Sequence, residues 1–103
     1  MYSLIYITIS ESSESKKIAK ILLEERLVAC TNVIPQINSL YLWKGGIEED
    51  EESILILKTK KDKVDQVIKR VEEVHSYETP YILGLEVKKG SEGYLQWMED
   101  ELN

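Results

Sequence analysis

The stretch from Ala29 to Lys60 constrains this fold more than any other part of the chain. Two long runs rich in β-branched and aromatic residues, Ala29 to Lys44 and Ser53 to Lys60, flank Gly45-Gly46 and an acidic segment. That pattern predicts an antiparallel hairpin whose arms are long for strands. The connection reads as more than two residues. Glu48-Glu49-Asp50-Glu51-Glu52 falls in a solvated turn, since it lacks the glycine-spaced ligand register of a calcium loop.

Both faces of the arms are apolar. Ile37, Tyr41 and Trp43 share one parity and Leu40 and Leu42 the other, while Leu55 and Leu57 oppose Ile54 and Ile56. A strand pair with one face in water alternates apolar with polar, and a pair covered on both sides does not. The chain's own helices can cover one face. The other calls for a second copy of the chain, because a monomer seldom leaves so large an apolar patch in water. Pro35 interrupts the first arm and predicts an edge position, a bulge or a bend, since proline cannot donate to a ladder.

The flanking segments complete the order. Ser3 to Ile9 reads as a buried strand, and the serines of residues 10–15 can cap a helix with apolar positions at Ile18, Ala19, Leu22, Leu23 and Leu27 that ends near Val28. Asp62 caps a second helix striped by Val64, Val67, Ile68, Val71 and Val74, which closes before Pro80. Tyr81 to Val87 is a fourth strand, and Ser91 opens a short helix carrying Tyr94, Leu95, Trp97, Met98 and Leu102. Residues 1–103 thus form a single domain of α+β class. It is a ferredoxin-like sandwich, βαββαβ plus a C-terminal helix, with a four-stranded antiparallel sheet, helices on one face and a long central hairpin.

Composition narrows function mainly by exclusion. A formal net charge of -6 disfavours nucleic acid and anionic membrane as partners, both of which need a basic footprint. The apolar N-terminal run is far shorter than the roughly 20 residues of a membrane span, and a single cysteine suits a reducing cytoplasm. No phosphate-cradling glycine loop, dinucleotide fingerprint or nucleophile elbow is present, so no catalytic residues are assigned and no enzyme is expected.

The residues that carry possible chemistry are few. His75, the only histidine, is either a transition-metal ligand or a cap on the last carbonyls of its helix, and the residue alone favours the cap. Cys30 is either a soft ligand for copper or a small buried residue at a strand start. Trp43, Trp97 and Tyr77 suit a core or an interface, with Lys58 and Glu51 as candidate hydrogen-bond partners for buried aromatic side chains.

Several segments in order resemble one family. Ala29-Cys30-Thr31-Asn32-Val33-Ile34-Pro35, Ser39-Leu40-Tyr41-Leu42-Trp43-Lys44-Gly45, Glu51 with Leu57-Lys58-Thr59, and His75-Ser76-Tyr77-Glu78-Thr79-Pro80 are similar to segments of the CutA divalent-cation tolerance proteins. The resemblance implies a tight homotrimer whose long hairpins build the intersubunit sheets. It also implies a role in tolerance to copper and other divalent metals with no established reaction. The chain departs from the family pattern at Ile7, where some members have cysteine, at Val74, where some have a second histidine, and at Ser76, where proline is usual. His75 is the ligand that carries over. The expected function is a non-enzymatic, cytoplasmic homotrimer that binds copper(II) or another divalent cation weakly. The alternative is a trimer similar to PII-type signalling proteins, holding a small ligand or an unidentified protein partner at subunit clefts near Trp43, Glu51, Lys58, Tyr77 and Trp97.

Overall fold

In the computed structural model, which describes residues 1–103, β1 (Tyr2–Ile9) lies inside a four-stranded antiparallel sheet of order β2-β3-β1-β4. The other elements are α1 (Ser12–Glu24), β2 (Cys30–Trp43), β3 (Gly46–Lys60), α2 (Val64–Val74), β4 (Tyr81–Val87) and α3 (Glu92–Leu102), with a 3-10 turn at Lys61–Lys63 leading into α2. The βαββαβ order with a closing helix is therefore the observed one.

Alternation along β1 decides where the core sits. Ser3, Ile5, Ile7 and Ile9 are buried, and the three isoleucines pack with Leu55 and Leu57 of β3, Ile18 and Leu22 of α1, and Val67 and Val71 of α2. Each such side chain contributes about 1.5–3 kcal/mol when fully buried. Gly84 lies opposite Ile5 in β4 beneath the start of α2, and a Cβ there would make ordinary van der Waals contact with Val64 Cγ1 at 3.5 Å. Two buried hydroxyls seal the same layer: Ser15 Oγ donates to Ser53 Oγ over 2.9 Å, and Thr59 Oγ1 donates to the Leu27 carbonyl over 2.6 Å.

The helices divide between the two faces. α1 and α2 cover the isoleucine face, as expected for the two crossovers. α3 lies across the opposite face, because Tyr2, Leu4, Lys58 and Lys60 point away from the isoleucines and are the residues it meets. Glu99 of α3 accepts hydrogen bonds from Tyr2 Oη at 2.9 Å and Lys60 Nζ at 2.8 Å. Leu83 and Leu85 of β4, on this second face, stay exposed.

The hairpin is longer than the body it grows from. β1 pairs with residues 53–60 of β3, while residues 46–52 pair only with β2. The far half therefore projects and gives the molecule a 45 Å long axis against 26 and 22 Å for the others. Pro35 lies on the sheet's edge strand and within a register shift between Ile34 and Ile37, so its predicted edge position and bulge are both present. The extra residue has a geometric effect: Ile34 faces the α3 side before the bulge, and Ile37, Ser39, Tyr41 and Trp43 face it afterwards.

The connection differs from the sequence expectation. Lys44 and Gly45 have φ of 49° and 83°, and Trp43 pairs directly with Gly46. Two successive positive φ values make a two-residue type I′ turn, whose twist matches that of the strands. The acidic residues 48–52 accordingly lie in β3, with Glu48, Asp50 and Glu52 on one face and Glu49 and Glu51 on the other. The first helix also ends earlier than expected. Arg26 takes φ 57° and the Leu27 N–H bonds back to the Leu22 carbonyl, closing the helix shortly after Glu24. The serines at its start do not cap it: Glu11 holds the cap position without a side-chain cap bond, and Ser10 and Ser13 donate to the carboxylates of Glu14 and Glu11.

Candidate functional site

The main concavity lies on the α3 side of the sheet, where the ends of β1 and β4 meet the root of the projecting hairpin. It is an open groove of about 580 Å³ lined by Thr8, Ser39, Tyr41, Trp43, Asp50, Glu52, Tyr77 and Tyr81, with Leu42 at its edge. The post-bulge parity of β2 supplies Ser39, Tyr41 and Trp43, and the matching parity of β3 supplies Asp50 and Glu52. β4 contributes Tyr81, and the loop after α2 contributes Tyr77.

Glu52 is the buried acid of this cavity, only 7% exposed. Its Oε2 accepts a hydrogen bond from Tyr77 Oη at 2.7 Å. Its Oε1 has no protein partner and stays in contact with solvent. Tyr41 donates its hydroxyl to Asp50. That bond, with burial adding to it, pushes the Tyr41 hydroxyl up to about 12. Burial first, and then the bond to Glu52, raises Tyr77 still further above the ordinary phenol value. Both phenols are therefore neutral donors at neutral pH, and each occupies one carboxylate oxygen.

His75 stands behind this wall with its side chain fully buried. Nε2 lies 3.0 Å from the Thr8 carbonyl oxygen, and Nδ1 lies 3.0 Å from the Tyr77 backbone nitrogen. A carbonyl can only accept and a backbone N–H can only donate, so the ring is the tautomer with its hydrogen on Nε2. The ring also packs against Tyr77, with centroids 4.7 Å apart, and Tyr77 meets Tyr81 edge-on at 5.9 Å. Glu14 of α1 fixes the same loop, accepting the Ser76 N–H at 2.9 Å and the Ser76 hydroxyl at 2.7 Å.

These positions bear on the residues expected from sequence. Within the single chain, His75 and Cys30 do not come together. Both imidazole nitrogens are already engaged. Cys30 lies opposite Lys58, whose other neighbour is Leu4, whereas His75 meets Thr8 at the far end of β1. No group of three or more His, Cys, Asp or Glu side chains converges in a geometry that could hold a metal.

The expected cleft residues also separate. Trp43 and Tyr77 share the cavity, while Cys30 and Lys58 lie at the other end of the sheet, beneath the α3 helix that carries Trp97. There Lys58 Nζ sits 5.7 Å from the Tyr94 ring centroid, and Tyr94 stacks on Trp97 at 5.6 Å. Burial, with the neighbouring Cys30 adding to it, pushes the Tyr94 hydroxyl up to about 12. Glu51 faces the opposite side of the hairpin and accepts from Gln36. The hairpin carboxylates that meet tyrosines are its neighbours Asp50 and Glu52. A one-residue step along a strand exchanges faces, and with the acidic run read as a turn that parity was invisible. The signal that finds Glu52 is its shared parity with Ile54 and Ile56, two and four positions further into the body.

No helix is long and apolar enough to cross a membrane. The family model for the CutA1 divalent ion tolerance proteins matches residues 3–101. The divalent-cation tolerance protein CutA of Thermus thermophilus is 36% identical over 97% of this chain and 97% of its own length. The CutA homologue of Xenopus laevis is 43% identical over 92% of this chain, which spans 63% of that relative; for the human protein the span is 52%. Among solved structures, the Archaeoglobus fulgidus CutA, described as periplasmic, superposes with a TM-score of 0.95 at 37% identity, covering all of both chains. The CutA1 of Oryza sativa does so with a TM-score of 0.94 at 31% identity over 99% of this chain and 95% of its own. The family-model match over residues 3–101 and the 36% identity to a relative over 97% of both chains show that the chain belongs to the CutA1 divalent ion tolerance protein family.

Proposed function

We propose that this chain works as a non-enzymatic homotrimer in cytoplasmic tolerance to divalent metal ions. The family match over residues 3–101 supports the tolerance role. The projecting hairpin supports the assembly: Leu40, Leu42 and Ile47 are 66%, 79% and 74% exposed on one of its faces. Leu83 and Leu85 add exposed apolar surface on the sheet's other side. Copies of the chain that share these surfaces remove them from water, which a monomer cannot do.

Copper(II) or another divalent cation then meets the protein weakly, at exposed carboxylates of the hairpin such as Glu48, Glu49 and Glu51, and not at His75. Light scattering together with a calorimetric Cu(II) titration of the wild type and His75→Ala tests both parts. Three chains per particle and a weak heat unchanged in the variant are the expected results. A single-chain mass would overturn the assembly, and a tight site lost in the variant would overturn the assignment of the metal to surface carboxylates. A second reading, a small-ligand sensor, is favoured by the open groove beside Tyr77.

A further inference from the structure

We infer that the loop between α2 and β4 is a proton-operated catch, in which His75 takes up a proton at Nδ1, exchanges the Tyr77 N–H for the Glu14 carboxylate and releases Tyr77 from the groove wall. The inference rests on the reading above in one respect: metal does not occupy His75.

The backbone of this loop is held by side chains. Residues 75–80 form no strand or helix. The Ser76 N–H donates to Glu14 Oε2 at 2.9 Å, and the Tyr77 N–H donates to His75 Nδ1 at 3.0 Å. A backbone carbonyl can only accept, whereas Nδ1 accepts when the ring is neutral and donates when it is protonated. Once Nδ1 carries a proton, two donors face each other across 3.0 Å and one of them must leave. The ring is anchored elsewhere, because Nε2 donates to the Thr8 carbonyl at 3.0 Å in both charge states. The Tyr77 N–H is therefore the donor that moves.

A new acceptor is already in place. Glu14 Oε2 lies 3.8 Å from Nδ1 and accepts only the Ser76 N–H, while Oε1 takes the hydroxyls of Ser10 and Ser76. Glu14 has no lysine or arginine partner, and a carboxylate at this distance favours the imidazolium. Thr8 of β1 presents a carbonyl to the ring, and Val71 of α2 accepts the His75 N–H, so neither strand nor helix adds a charge there. On the remaining side stands Tyr77, a neutral phenol bonded to Glu52 of β3, with Asp50 and Tyr81 beyond it.

One proton thus changes what Tyr77 does. Its backbone leaves His75, and its phenol loses the position from which it donates to Glu52 over 2.7 Å. Histidine is the side chain that ordinarily changes charge between about pH 5 and 8. Glu14, held below its ordinary 4.5, stays ionised there and remains available as the acceptor.

The test is an NMR titration of the intact, ¹⁵N-labelled protein from about pH 8 to about pH 5 with EDTA present. His75 is the only histidine, so its ring nitrogens are identified without ambiguity. The expected result is protonation of Nδ1, with the protection factor of the Tyr77 amide falling at least about tenfold at the same midpoint. Circular dichroism and light scattering should show fold and assembly unchanged across it. Glu14→Gln, which removes the charge facing Nδ1, should move that midpoint to lower pH. A ring that stays neutral over the range, protonation with Tyr77 protection unchanged, a loss of protection shared by the whole sheet, or an unmoved midpoint in Glu14→Gln would overturn the inference. Zn²⁺ added without chelator at neutral pH tests the metal reading separately. A shift of the ring nitrogens there would overturn that reading, while the titration in EDTA still judges the catch.

Discussion

Tyr77 donates its phenolic O–H to Glu52 across 2.7 Å, joining the loop after α2 to the point where β3 leaves the body of the sheet. His75 holds the other side of that loop by accepting the Tyr77 N–H. The lone histidine and the buried acid therefore act on one residue from opposite sides. His75 is thus a positioning residue for the cavity wall.

Replacing Tyr77 by Phe removes the sole protein partner of a nearly buried carboxylate. The expected cost is about 1–3 kcal/mol, the usual penalty for a buried group left unpaired. Urea unfolding should show a lower midpoint with unchanged slope, whereas Glu52→Gln should lose less because its amide oxygen still accepts.

His75→Ala deletes a buried ring and two hydrogen bonds at once. A loss of about 2–4 kcal/mol is expected from the combined cavity and unsatisfied groups. Differential scanning calorimetry reads this as a clear drop in Tm. His75→Gln, which can reach only one of the two partners, should fall between.

Acid should loosen the same loop. Burial pushes the Glu14 carboxyl up, but hydrogen bonds from the Ser76 side chain and N–H and from Ser10 outweigh it and hold the group below its ordinary value of 4.5. A folded value below the unfolded one means that the unfolded chain binds the proton more readily. The stabilisation is therefore complete above 4.5 and disappears as pH falls through the lower folded value. The hydrogen bond from Lys60 holds Glu99 low and that from Arg70 holds Glu25 low, in the same direction. Tm measured against pH should fall below pH 4.5, and Glu14→Gln should make that fall shallower without abolishing it.

If the chain forms the homotrimer proposed above, charge on the outer face of the hairpin should dissociate it. Leu42 and Ile47 pair directly across the strands and are largely exposed in the single chain. Leu42→Glu with Ile47→Lys leaves the isolated fold intact, since neither side chain enters the core. Light scattering should then show a fall from three chains to one.

Ser53→Ala tests the buried hydroxyl pair under α1. Ser53 Oγ accepts from Ser15 and donates to the Ile34 carbonyl at 2.9 Å, so its loss strands two groups. A loss of about 1–3 kcal/mol is expected in chemical unfolding.

How much of this was legible before folding depends on range. The apolar repeat of Val64, Val67 and Val71 and the alternation of Ile5, Ile7 and Ile9 declare their elements, because each pattern is complete within a few neighbouring residues. Pro35 announced its bulge for the same local reason. The turn was harder: Lys44-Gly45 is a two-residue connection whose type depends on a non-glycine residue at φ 49°. Once the acidic run was placed in that turn, Glu51 and Glu52 could not be told apart by face.

The sequence by itself determined the element order, the long hairpin and the apolar character of both its faces, since side-chain periodicity follows from backbone geometry alone. Tertiary structure decided which residues share a wall. The bulge after Ile34 turned Tyr41 and Trp43 towards the α3 side, the loop after α2 brought Tyr77 to Glu52, and the burial of His75 between Thr8 and Tyr77 used both its nitrogens. Contacts between residues separated by 25 or 67 positions depend on register and packing, and no local pattern in the chain encodes them.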